Sequence, residues 1–429
     1  MIGKLVAVIV AGGLGVGAQQ HVLLDFSGSM KGFAIGPNER LTGMLQRLGH
    51  GLEASGSVRF HGFNTAGGRN AFVDLSLNEA ASRFTKRNSY AGNSPLIWSI
   101  GEVARRPGSA EIVVFTDGME DDARLEDVAN AFAQYAREGW SFGIAAFILP
   151  FDGNYYAEMQ IPLSEFFPKI RESVHQADSS WEVTQNGCTT ANGSCYRFKG
   201  NRPMLVLVLS KTGGLGKLFS VLDDAAGQVF LKPHGKVEVF PASDYTPTVR
   251  AELKAATRQA LKPPASFEVV KDNVKVEFSC LQTGSDPLPF TLILSSATAP
   301  IDEATVSRPE SVRLVGNRPS WVSRTGPNLN VGADGTARHD LTFVCRSPGL
   351  WDSIRSSSSV LAGSLLVEYT YKRAARTQGW WIDLSAENPW QFPHRVYRLK
   401  ELVNRVQELA IQGQTPRTIR VEISLKSTN

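Results

Sequence analysis

The run Asp25-Phe26-Ser27-Gly28-Ser29 sets one carboxylate and two hydroxyls at alternate positions. Alternate residues of an extended chain share a face, and Gly28 permits a tight turn between the two serines. A second carboxylate ends a second apolar run in Phe115-Thr116-Asp117-Gly118, and a third hydroxyl, Ser94, stands before Pro95 and the apolar residues Leu96, Ile97 and Ile100. Asp25, Ser27, Ser29, Ser94 and Asp117 thus offer an all-oxygen donor set of the kind that hard divalent cations take. Mg²⁺ is the expected ion, with Mn²⁺ or Ca²⁺ as alternatives. Two carboxylates neutralise a dication while hydroxyls and water donate weakly, so the ion stays electrophilic. The expected further ligand is the Asp or Glu side chain of a protein partner.

Strands and helices must bring these residues together. His21–Phe26 reads as a short apolar strand, followed by Leu41, Met44, Leu45 and Leu48 at helical spacing. Strands are expected at 58–64, 71–75, 111–115 and 142–149. Ser94 and Pro95 read as N-cap and first residue of one helix, and Leu125, Val128, Phe132 and Tyr135 mark another, ended by Gly139. This alternation predicts an α/β fold, a doubly wound, mostly parallel sheet of Rossmann type, in which strand carboxyl ends share one rim and ligands bind there. Residues 151–201 read as an irregular insertion, and Pro203–Leu209 as one more central strand of the same sheet. Beyond residue 236, alternating runs between Pro-, Gly- and Ser-rich turns predict an antiparallel β-sandwich, then a C-terminal helix through Val396, Leu399, Leu402, Val403, Val406 and Leu409 and a last strand at 418–425. The expected organisation is 19–232, 236–385 and 386–429, after a leader at 1–18. Trp380, Trp381, Trp390 and Phe392 are expected in a core or a domain seam.

The strand LLDFSGSMKGF, the Ser94-Pro95-Leu96 helix start and the strand VVFTDG, in this order and spacing, resemble the von Willebrand factor A domain and its metal-ion-dependent adhesion site. The resemblance covers residues 20 to about 150 and extends to 232 across the insertion. It implies that Ser27 and Ser29 touch the metal, and that Asp25 and Asp117 bind it directly or through water. Ser94 stands where that family usually has Thr, which keeps the hydroxyl and gives up rotamer restriction. The implied function is capture of an acidic group on a protein partner through the metal. The competing expectation is a scaffold whose metal site is vestigial and whose contacts come from the sandwich and the C-terminal helix. Glu120, Asp121 and Asp122 read as a solvated helix start.

Residues 1–18 carry Lys4 ahead of an apolar stretch from Leu5 to Ala18, with Val16 and Ala18 placed for cleavage before Gln19. This is the pattern of a secretory signal, too short to span a bilayer. The overlapping Gly13-Leu14-Gly15-Val16-Gly17-Ala18 fits a dinucleotide fingerprint, but a strand-like run begins at His21, leaving no room for the crossover helix. A secreted or periplasmic protein is therefore expected, with no stable membrane span. The four cysteines agree with export: Cys188 with Cys195 and Cys280 with Cys345 is the favoured pairing of three. A formal net charge of +4 with no long block of like charge gives no reason to expect nucleic acid. Thr212-Gly213-Gly214-Leu215-Gly216-Lys217 departs from a phosphate loop at Lys211 and Leu218. Neither a nucleophile elbow nor a zinc-protease motif occurs, His61 reads as a core residue, and no enzyme activity is expected.

Overall fold

The computed structural model describes residues 18–428 apart from 36–38, 55, 119–124, 157–162, 186–188, 191–192, 212–214, 241–247, 254–265, 271–272, 279–286, 296–300, 307–313, 316–320, 346–359, 377, 389–390 and 413–415. Residues 1–17 of the expected leader, Cys188, Cys280, the acidic run 120–122, the Gly-rich turn 212–214 and Trp390 lie outside the described residues. The chain divides into two units, Met1–Ser243 with Gly379–Val403, and Asp244–Gln378 with Asn404–Asn429.

The first unit is α/β. Its strands are β1 (Gln19–Asp25), β2 (Ser57–Ala66), β3 (Arg69–Leu75), β4 (Ser109–Thr116), β5 (Ser141–Tyr156), β6 (Glu182–Thr184), β7 (Thr189–Thr190), β8 (Gly193–Ser210) and β9 (Gly235–Phe240). Its main helices are α1 (Glu39–Glu53), α2 (Leu77–Phe84), α3 (Leu96–Ala104), α4 (Leu125–Arg137), α5 (Leu163–Ala177) and α6 (Gly216–Gly227). The sheet runs β3-β2-β1-β4-β8-β5-β9, with β6 and β7 paired to β8. Val22, Leu23 and Leu24 are fully buried, because apolar residues on both faces of β1 meet helices. On one face Val22, Leu24, Val113, Phe147 and Val206 pack with Leu41, Met44, Leu45 and Leu48 of α1 and with Leu218 and Leu222 of α6. On the other, Phe142 of β5 stacks on Phe132 of α4 at 4.2 Å between ring centres.

The sheet is mixed rather than doubly wound in the simple sense. β1 pairs in parallel with both β2 and β4. However, β8 lies between β4 and β5 and is antiparallel to both, as β3 is to β2 and β9 to β5. An apolar run announces a buried strand but carries no sign of its direction. Residues 151–201, expected to be irregular, are largely regular: β5 and β8 pair without a break from Ser141↔Ser210 to Tyr156↔Cys195. β4 ends opposite Leu205, at Thr116, so the rest of this ribbon stands beyond the rim. The run 236–240, read as the first sandwich strand, is β9 and belongs to this sheet.

In the second unit, a four-stranded antiparallel sheet orders Thr248–Leu253, Pro287–Ser295, Ala337–Cys345 and Trp321–Val331. A six-stranded sheet orders Ser266–Val270, Asn273–Phe278, Arg417–Thr428, Val360–Arg373 and Ile301–Val306, with Leu314–Val315 also on Val360–Arg373. The last strand is parallel to Asn273–Phe278 and antiparallel to Val360–Arg373, so it is integral to this sheet rather than part of a separate C-terminal piece. His339 Nδ1 and Tyr369 Oη, 2.8 Å apart and buried, join the two sheets. The helix Leu399–Ile411 spans the division of the chain at Val403. In the first unit, Trp381 is buried, and Trp380 packs edge-to-face on it, also covering Gly235. Cys195 is buried and disulfide-bonded.

Candidate functional site

Parallel pairing of β1 with β4 carries Asp25 and Asp117 to the same rim, as strand ends in a parallel pair must. Asp25 accepts from the Ser27 amide at 2.8 Å on Oδ1, an Asx-type bond that turns the chain out of the strand. Its Oδ2 accepts from the hydroxyls of Ser94 and Thr116, each at 2.8 Å. Ser27 and Ser29 lie with their hydroxyl oxygens 3.1 Å apart at the start of a 3-10 turn, Gly28–Phe33.

Ser94 reaches Asp25 because its loop is pinned by backbone bonds. The Gly28 amide donates to Gly92 O at 2.8 Å and the Ala91 amide to Phe26 O at 2.9 Å, while the Asn93 amide donates to Thr65 Oγ1 at 2.7 Å. Gly92 takes φ +70°, and a Cβ there would meet Thr65 O at 2.0 Å, so glycine is required both for conformation and for space. The sequence suggests Ser94 as helix cap, yet α3 begins at Leu96 with Pro95 in the cap position. The Ser94 hydroxyl donates to the Asp25 carboxylate.

Asp25 is fully buried, Ser27, Ser94 and Asp117 are 1% exposed, and Ser29 is partly open. Burial first, then the like charge of Asp117, pushes the Asp25 carboxyl up to about 7. Asp117 itself meets Arg202 of β8, whose Nη2 lies 3.1 Å from Asp117 Oδ2. The guanidinium sits over the rings of Phe151 at 5.1 Å and Tyr155 at 4.9 Å, on the part of β5 that stands beyond the rim. Phe151 also packs edge-to-face on Phe33 of the 3-10 turn, 5.0 Å between centres.

All five residues expected from the sequence therefore gather at one rim. Asp25, Ser27 and Ser94 are directly bonded, Ser29 is beside Ser27, and Asp117 follows Thr116. Thr116 and Arg202 were missed. Thr116 lies inside the motif already singled out, next to Asp117, and its hydroxyl was the available signal. Arg202 had none, because it is placed only by antiparallel pairing of β8 with β5. The donor chemistry fits a hard cation. Adjacent ligands of an octahedral Mg²⁺ at about 2.0–2.1 Å stand about 2.9 Å apart, near the spacing of the two serine hydroxyls. Among the described residues no group of three or more His, Cys, Asp or Glu gathers as a metal cluster, so this set depends on hydroxyls.

At the opposite end of the same strands the structure forms a line of hydrogen bonds not legible in the sequence. Ser109 Oγ lies 3.0 Å from His21 Nε2, His21 Nδ1 3.0 Å from His61 Nε2, and His61 Nδ1 2.7 Å from Asp74 Oδ1. Both imidazoles are fully buried, and burial lowers each to about 4. A serine and a histidine do meet here, but the Ser109 hydroxyl donates to Val103 O at 2.6 Å. That bond holds its proton away from the imidazole, and the line ends at the exposed Asp74.

No family model, curated protein or solved structure matches this chain. Among the described residues, no helix is long and apolar enough to cross a membrane.

Proposed function

We propose that the first unit is a von Willebrand factor A-like domain whose rim holds a divalent cation, Mg²⁺ or alternatively Mn²⁺ or Ca²⁺, and binds an acidic group of a protein partner. The observation that carries this reading is the convergence of Ser27, Ser94 and Thr116 on the two oxygens of the buried Asp25, with Ser29 beside Ser27. Ser27 and Ser29 would touch the ion, Asp25 and Asp117 would balance its charge directly or through water, and Ser94 and Thr116 would orient Asp25. A cation held there would polarise and attract one carboxylate oxygen from outside, with the partly open Ser29 side as the approach. The role is adhesion or complex assembly rather than catalysis. The leader-like residues 1–18 support a secreted or periplasmic location, with disulfides 188–195 and 280–345.

Isothermal titration of the chain with MgCl₂ or MnCl₂ tests this directly. Saturable binding that Asp25→Ala removes is expected, together with a protein partner released by EDTA. Identical titrations for both proteins would overturn it. The alternative, a scaffold with a vestigial site, has one observation in its favour: Asp117 is already paired with a buried arginine. Partner capture that persists unchanged in EDTA would favour that alternative.

A further inference from the structure

Arg202 has no place in a cation site, yet it is 2% exposed and its Nη2 lies 3.1 Å from one of the two rim carboxylates. A buried guanidinium demands a counter-charge, and a buried carboxylate beside a second one demands a cation. We propose that Arg202 is a tethered cation that stands in for the divalent ion at Asp117, so that metal uptake at the rim requires Arg202 to withdraw. This inference rests on the metal-binding reading of the Asp25 rim.

Three features argue for it. First, β4 ends at Thr116 opposite Leu205, so Arg202 reaches back over the rim from the ribbon beyond that strand's end. Second, the guanidinium carbon lies 5.1 Å from the Phe151 ring centre and 4.9 Å from that of Tyr155, so two aromatic rings hold the charge in place beside the carboxylate. Third, the charges exclude joint occupancy at full strength. Asp25 and Asp117 together can balance one dication, or one guanidinium with a residual charge on Asp25. A dication and Arg202 both within contact range of Asp117 repel in a poorly hydrated setting, where Coulomb terms are several times those in water. The Arg202 side chain therefore sets a threshold on metal affinity, and through it on capture of an acidic partner. A partner that draws Arg202 away, for example with its own carboxylate, would raise metal affinity as it binds, because the coupling is reciprocal.

The experiment is calorimetric titration of the full chain with MnCl₂, comparing wild type, Arg202→Gln and Arg202→Lys. Arg202→Gln is expected to bind Mn²⁺ about tenfold or more tightly than wild type, whereas Arg202→Lys, which keeps the charge, stays near wild type. A second variant, Tyr155→Leu, removes one wall of the aromatic clamp and no charge, and is expected to tighten Mn²⁺ binding several-fold. Its Mn²⁺-induced rise in Tm should exceed that of wild type, which reads the same effect if Arg202→Gln does not fold. Equal or weaker binding in Arg202→Gln and Tyr155→Leu, with wild type still binding, would overturn the tethered cation and leave the metal site standing. Binding by none of the variants would overturn the metal site itself.

Discussion

Asp25 is the residue on which the rim turns: its two oxygens accept three hydrogen bonds, from one backbone amide and two hydroxyls. Removing the Ser94 hydroxyl takes away one charge-assisted bond, of about 1.5–3 kcal/mol. Ser94→Ala is therefore expected to weaken Mn²⁺ binding by at least about tenfold by calorimetry, an affinity equal to wild type being the outcome that removes Ser94 from the site. Ser94→Thr keeps the hydroxyl and narrows its rotamers, so binding a few-fold tighter is expected in the same titration. At this scale most of the site was legible. Asp25, Ser27 and Ser29 are neighbours in the chain, and local turn chemistry alone brings them together. Thr116 was hidden by its ordinary appearance in an apolar strand, and Arg202 by its distance along the chain.

The elements that carry these residues meet at two glycines. A Cβ on Gly32 would lie 2.2 Å from the Phe151 ring, and one on Gly153 would lie 2.6 Å from the Cα of Gly32. The 3-10 turn after Ser27 and the outer part of β5 therefore touch backbone to backbone, which only glycine allows. Gly32→Ala is expected to destabilise the fold by about 1–3 kcal/mol in chemical denaturation, since the overpacked ring cannot move without disturbing Phe33. The double variant with Phe151→Leu should recover part of that loss. Additive losses would show that the ring is not the obstacle. The ribbon of β5 and β8 was read from sequence as strand, irregular insertion and strand. Its regularity comes from long-range pairing that no local pattern encodes.

Across the molecule, stability should depend on pH through buried imidazoles. His21 and His61 are held near 4 in the fold against 6.5 when exposed, and His394 likewise. The unfolded chain therefore binds more protons between those values, so this stability is complete above pH 6.5 and is lost as pH falls towards 4. Asp25, raised to about 7, acts in the opposite sense, losing its contribution as pH rises from the ordinary carboxylate range. Comparing wild type with His61→Gln cancels the Asp25 part. The fall in Tm from pH 7 to pH 4.5 is expected to be smaller in His61→Gln, and equal falls would show that the Ser109-His21-His61-Asp74 line is not what titrates.

What the sequence determined by itself was local: the turn chemistry after β1, the helical and strand periodicities, and the change from α/β alternation to a β-rich C-terminal half. Each depends on residues within a few positions of one another. Tertiary structure alone decided strand direction, the transfer of Gly235–Phe240 to the first sheet, and the arrival of Arg202 at Asp117. Burial in a sheet is satisfied equally by either strand direction, so hydrophobic pattern leaves that choice open. It is settled only when backbone hydrogen bonds between distant segments select their register.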